Sequence, residues 1–238
     1  MLIRIRRALS RLIYRQPTFE THFNVPITFD RASVRSVNER IIEIPFIFRF
    51  IGSETVPLKI LDFGCSRSWI SISLASMGHR VHGIDLRPFP FRHPNFAFER
   101  VNILDYTEAN FDSIISVSTL EHVGLGAYGE EHDHSALSKV IRKIHALLTP
   151  GGAFLATVPV GLPSEDHFEK SFAPREIIGL LVNESFALEQ AHYYRKDGSA
   201  QWLPCTEEQV AAVSNDLEAR KSAESGVNGV GCFVFRAR

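Results

Sequence analysis

The sequence is poor in the features that mark several large protein classes. Three cysteines, Cys65, Cys205 and Cys232, are scattered over 238 residues. That odd, widely spaced set makes neither a secreted disulfide framework nor paired zinc ligands, and it points to a reducing compartment. No stretch approaches the roughly 18 consecutive apolar residues of a spanning helix, and the Met1 end lacks an apolar core followed by a small-residue cleavage site. Charge of one sign is missing too: 26 Lys and Arg stand against 27 Asp and Glu, a formal net charge of −1. Such balance offers no basic field for nucleic acid, so the expected partners exclude it and the expected location is cytoplasmic.

What is present is an ordinary globular composition, 45% apolar and 22% charged. A chain of this size buries roughly 70% or more of its unfolded surface, so it needs no disulfide or structural metal to hold a core.

The chain divides into an extension over residues 1–55 and a domain over 56–238. The first fifteen residues place Arg4, Arg7, Arg11 and Arg15 opposite Leu2, Ile5, Leu9, Leu12 and Ile13, a basic amphipathic helix. Two readings stand side by side: contact with an anionic membrane at its inner face or with a partner, or packing on the protein itself. A second helical segment is predicted over 33–50, interrupted at Pro45.

From Lys59 the pattern alternates strand and helix. Strands are predicted over 59–63, 80–84, 96–101, 113–117, 154–158, 186–194 and 231–236. Helices fall at 68–77, at 135–148 and just after Pro174, with a polar helical insertion over 205–221. The loops 124–134, 161–171 and 195–205 are left to shape a binding pocket. Alternation of this kind means an α/β fold: a doubly wound, mostly parallel sheet with helices on both faces.

In such a sheet, ligands bind beyond the carboxyl ends of the strands near the point where strand order reverses. The first strand ends in Asp62-Phe63-Gly64-Cys65-Ser66-Arg67-Ser68 and opens a helix. Only one glycine lies in that turn, which argues against a nicotinamide dinucleotide. The second strand ends in Asp85, where a carboxylate can accept from both hydroxyls of a ribose.

Three segments, ILDFGCSRSWISISLASMGHRVHGIDLRP, FDSIISVSTLEHVGLGAYG and LLTPGGAFLATVPVG, occur in order and together resemble the class I S-adenosylmethionine-dependent methyltransferases. The likeness covers about 59–161 and is greatest to the small bacterial type-11 group. The LEHVGLG-x-YG segment is similar to methyltransferases of sugar and cell-surface polysaccharide modification. The resemblance implies a seven-stranded Rossmann-like sheet with an antiparallel last strand, and S-adenosyl-L-methionine as cofactor.

By the same likeness, Asp62 would hold the methionine amino group and the Gly64–Cys65 backbone would pass against the methionine. Asp85 would bind the ribose, with Leu86, Asn102 and Ile103 around the adenine and Ser118 beside the cofactor. Ser66 and Ser68 stand where the family's second and third loop glycines fall. Serine cannot relax into positive φ as cheaply, although its hydroxyl can cap the next helix.

Methyl transfer to an alcohol benefits from a base, and His122 with Glu121, just after the fourth strand, is the candidate catalytic pair. The cluster Glu130, Glu131, His132, Asp133 and His134 has metal-ligand chemistry, yet reads better as an exposed polar loop, so no metal is expected. Asp166 and His167 form a third candidate set in the variable substrate loop. His79 and His82 read as surface or packing residues. The loop Phe89–Pro90–Phe91–Arg92 is placed to cover the adenine or touch the acceptor.

The acceptor expected is a sugar or related hydroxylated glycan. A small-metabolite acceptor and a non-catalytic binding module of the same fold remain as alternatives.

Overall fold

The computed structural model describes residues 38–52, 54–66, 68–130, 132–197, 201–216 and 226–238. The basic helix expected over 1–15 therefore lies outside the described residues. In order come α1 (Arg40–Ile51), β1 (Lys59–Phe63), α2 (Ile70–Ser76), β2 (Arg80–Asp85), β3 (Phe96–Arg100), β4 (Phe111–Val117), a 3-10 turn (Leu120–His122), α3 (Ala136–Leu147) and β5 (Leu148–Pro159). Then follow β6 (Ser164–Glu165), β7 (Lys170–Ser171), α4 (Pro174–Asn183), β8 (Phe186–Lys196), β9 (Trp202–Cys205), α5 (Glu207–Ala211) and β10 (Gly229–Ala237).

The main sheet has the order β3-β2-β1-β4-β5-β10-β8-β9. Strands β3, β2, β1, β4 and β5 are mutually parallel, whereas β10 is antiparallel to both its neighbours. The doubly wound expectation holds, with one correction: among the described residues the sheet has eight strands rather than seven. The added strand is β9, which pairs antiparallel with β8 and turns part of the expected loop 195–205 into a hairpin. The insertion predicted as helix over 205–221 yields only the short α5 among its described residues.

Period-2 alternation in the central strands feeds two cores. Leu61, Ile114, Phe154, Phe233 and Phe235 face one side, where α3 covers them with Leu137, Val140, Ile141, Ile144 and Leu147, and α4 with Ile177 and Leu181. Ile60, Ile115, Leu155 and Val234 face the other, under Ile47 and Ile51 of α1 and Ile70, Leu74 and Ala75 of α2. Pro45 does not interrupt α1, which runs through it. The lost backbone hydrogen bond is offset by full burial of Ile47 and Ile51 against the sheet.

The order reverses between β1 and β4, whose crossovers leave in opposite directions, so a cleft opens at their carboxyl ends. Chain segments from both sides of the sheet converge there.

Candidate functional site

A cavity of about 910 Å³ occupies that cleft, walled by Gly64, Ser66, Asp85, Leu86, Asn102 and Ile103 toward one end. Toward the other stand Ser118, Glu121, His122, Tyr128, Glu130, Phe168 and Glu169. The strand-end logic of the sequence thus brings its two candidate sets to one hollow. Asp62 and Cys65 stand behind the wall instead of lining it. The Cys65 side chain is fully buried, and any Cβ on Gly83 of β2 would collide with its Sγ.

Gly64 sits at φ +82°, and a Cβ there would collide with the side chain of Thr119. Only glycine fits this turn, where chain from β1 passes close under chain from β4. Ser66 and Ser68 are not among the positive-φ residues, so serine costs no strain at either position. The Ser68 hydroxyl accepts from the Ile70 N–H at 3.1 Å, a turn bond just ahead of the helix, whose N-cap position falls to Trp69 with no side-chain cap.

The Asp85 carboxylate accepts from Ser66 N–H at 2.9 Å and Arg87 N–H at 2.8 Å. The Arg87 guanidinium reaches the same carboxylate, with Nε at 3.1 Å, and lies 4.7 Å from the Tyr128 ring centroid. Arg87 therefore links the β2 end of the cavity to the loop after β4. The Asn102 side-chain oxygen accepts from Leu104 N–H at 3.0 Å, so its first partner is its own turn; a carbonyl keeps a second lone pair for a ligand.

Burial pushes Asp62 up to about 7; the Ser71 hydroxyl, donating to it at 2.5 Å, opposes this, and the Asp85 charge adds to it. Burial likewise drives Glu121 well above the ordinary carboxylate range, helped by the charges of Glu169 and Glu43. Its buried Oε2 has no hydrogen-bond partner among the described residues. His122 Nδ1 meets the Phe168 carbonyl at 2.7 Å. A carbonyl only accepts, so Nδ1 carries the proton and Nε2 is the basic nitrogen of the neutral ring.

Several residues were not anticipated. Glu43, on α1, is fully buried and accepts from Ser118 Oγ at 2.6 Å and Thr157 Oγ1 at 2.7 Å, with Arg40 at 2.7 Å. Ser118 holds φ +45°, an uncommon conformation that this network and its N–H bond to the Thr157 carbonyl, at 3.0 Å, keep in place. The signal was one acid inside the apolar run IIEIPFIF. Asn38, Glu39, Arg40, Gly226 and Val227 also line the cavity, but they come from segments with no motif to mark them.

Other expectations are corrected. Asp166 is a turn former, accepting from Phe168 N–H at 2.8 Å and Glu169 N–H at 2.9 Å; Phe168 and Glu169, not Asp166 and His167, reach the cavity. Phe89 and Phe91 pack with Phe96 and Trp69 outside it, because apolar rings gain more from each other than from a polar rim. None of the described residues of 195–205 lines the cavity. His79 accepts from Leu58 N–H at 3.1 Å, and His82 pairs with Glu108 at 3.0 Å; both are structural.

The methyltransferase domain family matches residues 55–209, which is most of the chain. This chain belongs to the methyltransferase domain family. A curated relative, the O-antigen chain terminator bifunctional methyltransferase/kinase WbdD of Escherichia coli, is 31% identical over 134 residues, 48% of this chain. The match spans only 18% of that protein's length.

Among solved structures, the 1,6-didemethyltoxoflavin-N1-methyltransferase of Burkholderia thailandensis, holding its substrate and S-adenosylhomocysteine, superposes with a TM-score of 0.54 at 17% identity. That superposition covers 82% of this chain and 76% of that one. The [4+2]-cyclase SpnF gives a TM-score of 0.58 at 14% identity, over 98% of this chain and 93% of its own. Likeness at these identities establishes the fold this methyltransferase-family chain adopts; the chemistry must be argued from its cavity.

Proposed function

We propose that this protein binds S-adenosylmethionine at the carboxyl ends of β1 to β3 and methylates a hydroxyl of a sugar or related glycan acceptor. The observation that carries the reading is a single cavity with a glycine cradle and the Asp85 carboxylate at one end and His122 at the other. The residues present fit the cofactor: the Gly64 turn admits no Cβ, and Asp85 offers a carboxylate at the strand end suited to a ribose. Asp62 lies one layer behind the wall, from where its carboxylate would compensate an ammonium group through water.

S-adenosylmethionine supplies an electrophilic methyl group already activated as a sulfonium. The protein's part is then positioning and proton handling. His122, oriented by the Phe168 carbonyl, takes the acceptor's proton at Nε2. Glu121, whose carboxyl burial raises above the ordinary range, lines the cavity beside His122. Tyr128 and Phe168 offer faces and Glu130 and Glu169 offer carboxylates to a hydroxylated ring. The glycan class rests on the WbdD likeness and on this mixed aromatic and acidic lining. A small-metabolite acceptor is the competing outcome.

Titration calorimetry with S-adenosylmethionine and S-adenosylhomocysteine tests the cofactor. One site per chain is expected, with Asp85→Ala costing about 1.5–3 kcal/mol of binding. Absence of heat, or an unchanged isotherm in Asp85→Ala, overturns the assignment. Radiolabelled methyl transfer to a panel of sugars, amines and phenols then separates the acceptor classes; labelling confined to amines or phenols overturns the glycan reading.

A further inference from the structure

His132 and His134, in the loop after β4, meet Glu165, in the short β6-β7 hairpin, at the protein surface. One ligand atom from each, an imidazole nitrogen or a carboxylate oxygen, lies within 4.8 Å of the others. The two imidazoles pack edge to face at 4.6 Å between centroids. Sequence shows two histidines in a charged loop; only the fold adds the carboxylate from 31 residues beyond His134.

We propose that His132, His134 and Glu165 form a divalent transition-metal site that Zn²⁺ can occupy. Two imidazoles and one carboxylate are a borderline donor set that suits zinc, with water completing a tetrahedron. Each of the two backbone segments that carry these ligands is braced by its own bonds. Asp133 accepts from Ser135 N–H at 2.8 Å and Lys139 Nζ at 2.8 Å, while its own N–H donates to Gly124 O at 2.9 Å. On the other side β6 and β7 pair Ser164 with Ser171 and Glu165 with Lys170. Asp133 is committed to Lys139, and Lys170 Nζ, 3.9 Å from Glu165, makes only a long ion pair in which Lys170 is half-buried and Glu165 exposed.

The consequence reaches the cavity. Tyr128 and Glu130 come from the first segment, and Phe168 and Glu169 from the second. A metal at the outer junction clips these two segments together and fixes the width of the acceptor end. Its role is positional, since none of its three ligands lines the cavity. The site stands on its own geometry and does not depend on the cofactor reading.

The test uses the full chain without an affinity tag, stripped with chelator, and Zn²⁺ or Co²⁺ alone as probe. Calorimetry should show one Zn²⁺ per chain at micromolar affinity or tighter, and Co²⁺ should give the visible absorption of a tetrahedral centre. Glu165→Gln and His134→Ala should each weaken binding by roughly tenfold or more, while His167→Ala, on the same hairpin, leaves it unchanged. All three positions are on the surface, and melting curves of the metal-free variants should overlay the wild type. Substoichiometric binding, or affinity indifferent to Glu165→Gln, overturns the site. Titrating the same samples with S-adenosylhomocysteine keeps the two readings apart: heat there without Zn²⁺ binding refutes only the metal, and the reverse refutes only the cofactor.

Discussion

The carboxylate of Glu43 accepts a hydrogen bond from the hydroxyl of Thr157 at 2.7 Å, across 114 residues of sequence. The same carboxylate takes the Ser118 hydroxyl and the Arg40 guanidinium, so one buried acid joins α1 to the ends of β4 and β5. Removing it takes the acceptor from two hydroxyls. Glu43→Ala should destabilise the fold by about 3 kcal/mol, read in thermal melts as a drop of roughly 6–12 °C. Glu43→Gln, which keeps one acceptor, should fall between. A drop under about 2 °C in Glu43→Ala would show that the network contributes little beyond its packing.

Asp62 sets a pH dependence whose sign follows from its burial. Folded, it titrates at about 7, against an ordinary 3.8. Between those values the native protein holds a proton that the unfolded chain has released, so stability falls as pH rises through that interval and levels above it. The full effect is on the order of 4 kcal/mol. Urea melts from pH 5 to 8 should show this slope in the wild type and a flatter one in Asp62→Asn. Parallel slopes would remove Asp62 as the cause.

That proton also couples to the cofactor. An ammonium near Asp62 favours the ionised carboxylate, so affinity for S-adenosylmethionine should rise with pH up to about 7 and then level, with a proton released on binding below that point. Calorimetry in buffers of different ionisation enthalpy measures the release directly. Equal heats in all buffers at pH 6, or the same release in Asp62→Asn, would contradict it.

Catalysis should divide unequally between neighbours. His122→Ala should lower turnover by roughly a hundredfold or more with cofactor affinity nearly intact. Glu121→Gln keeps the shape of this buried side chain, whose pKa burial raises, and should stay within a few-fold of wild type. Were Glu121→Gln as damaging as His122→Ala, the ionised glutamate would be the base and the roles would be exchanged.

The expected peripheral membrane contact rests on Arg4, Arg7, Arg11 and Arg15. Each basic residue near an anionic surface contributes about 1 kcal/mol, screened by salt. Co-sedimentation with anionic vesicles should be strong at low salt, weak at high salt, and lost when residues 1–16 are removed. Equal recovery in the supernatant under all conditions would end the membrane reading, and a lower melting temperature of the shortened chain would favour packing on the protein.

How much of this could be read in advance depended on the range of the interaction. Strands β1, β2 and β4, with Asp85, Gly64 and His122 at or just after their ends, were legible because period-2 apolar runs and turn residues are local signals. β9 was not, since a four-residue edge strand containing Pro204 acquires its identity only from pairing with β8. Glu43, Glu169 and Val227 were missed for the same reason: each enters the cavity or its supports through contacts far away in sequence. Asp166 carried the right chemical group in the right loop, but its carboxylate is spent on the local turn that delivers Phe168 and Glu169.

β10 lies between β5 and β8, both of which precede it in the chain. A ribosome therefore delivers seven strands of the main sheet before the one that joins its halves. Until residues 229–237 leave the exit tunnel, β5 and β8 each present an unsatisfied backbone edge, and the pocket that Phe233, Val234 and Phe235 will fill stays open on both faces. That interval is when the nascent protein is most prone to associate with its neighbours, and when chaperone shielding would matter most.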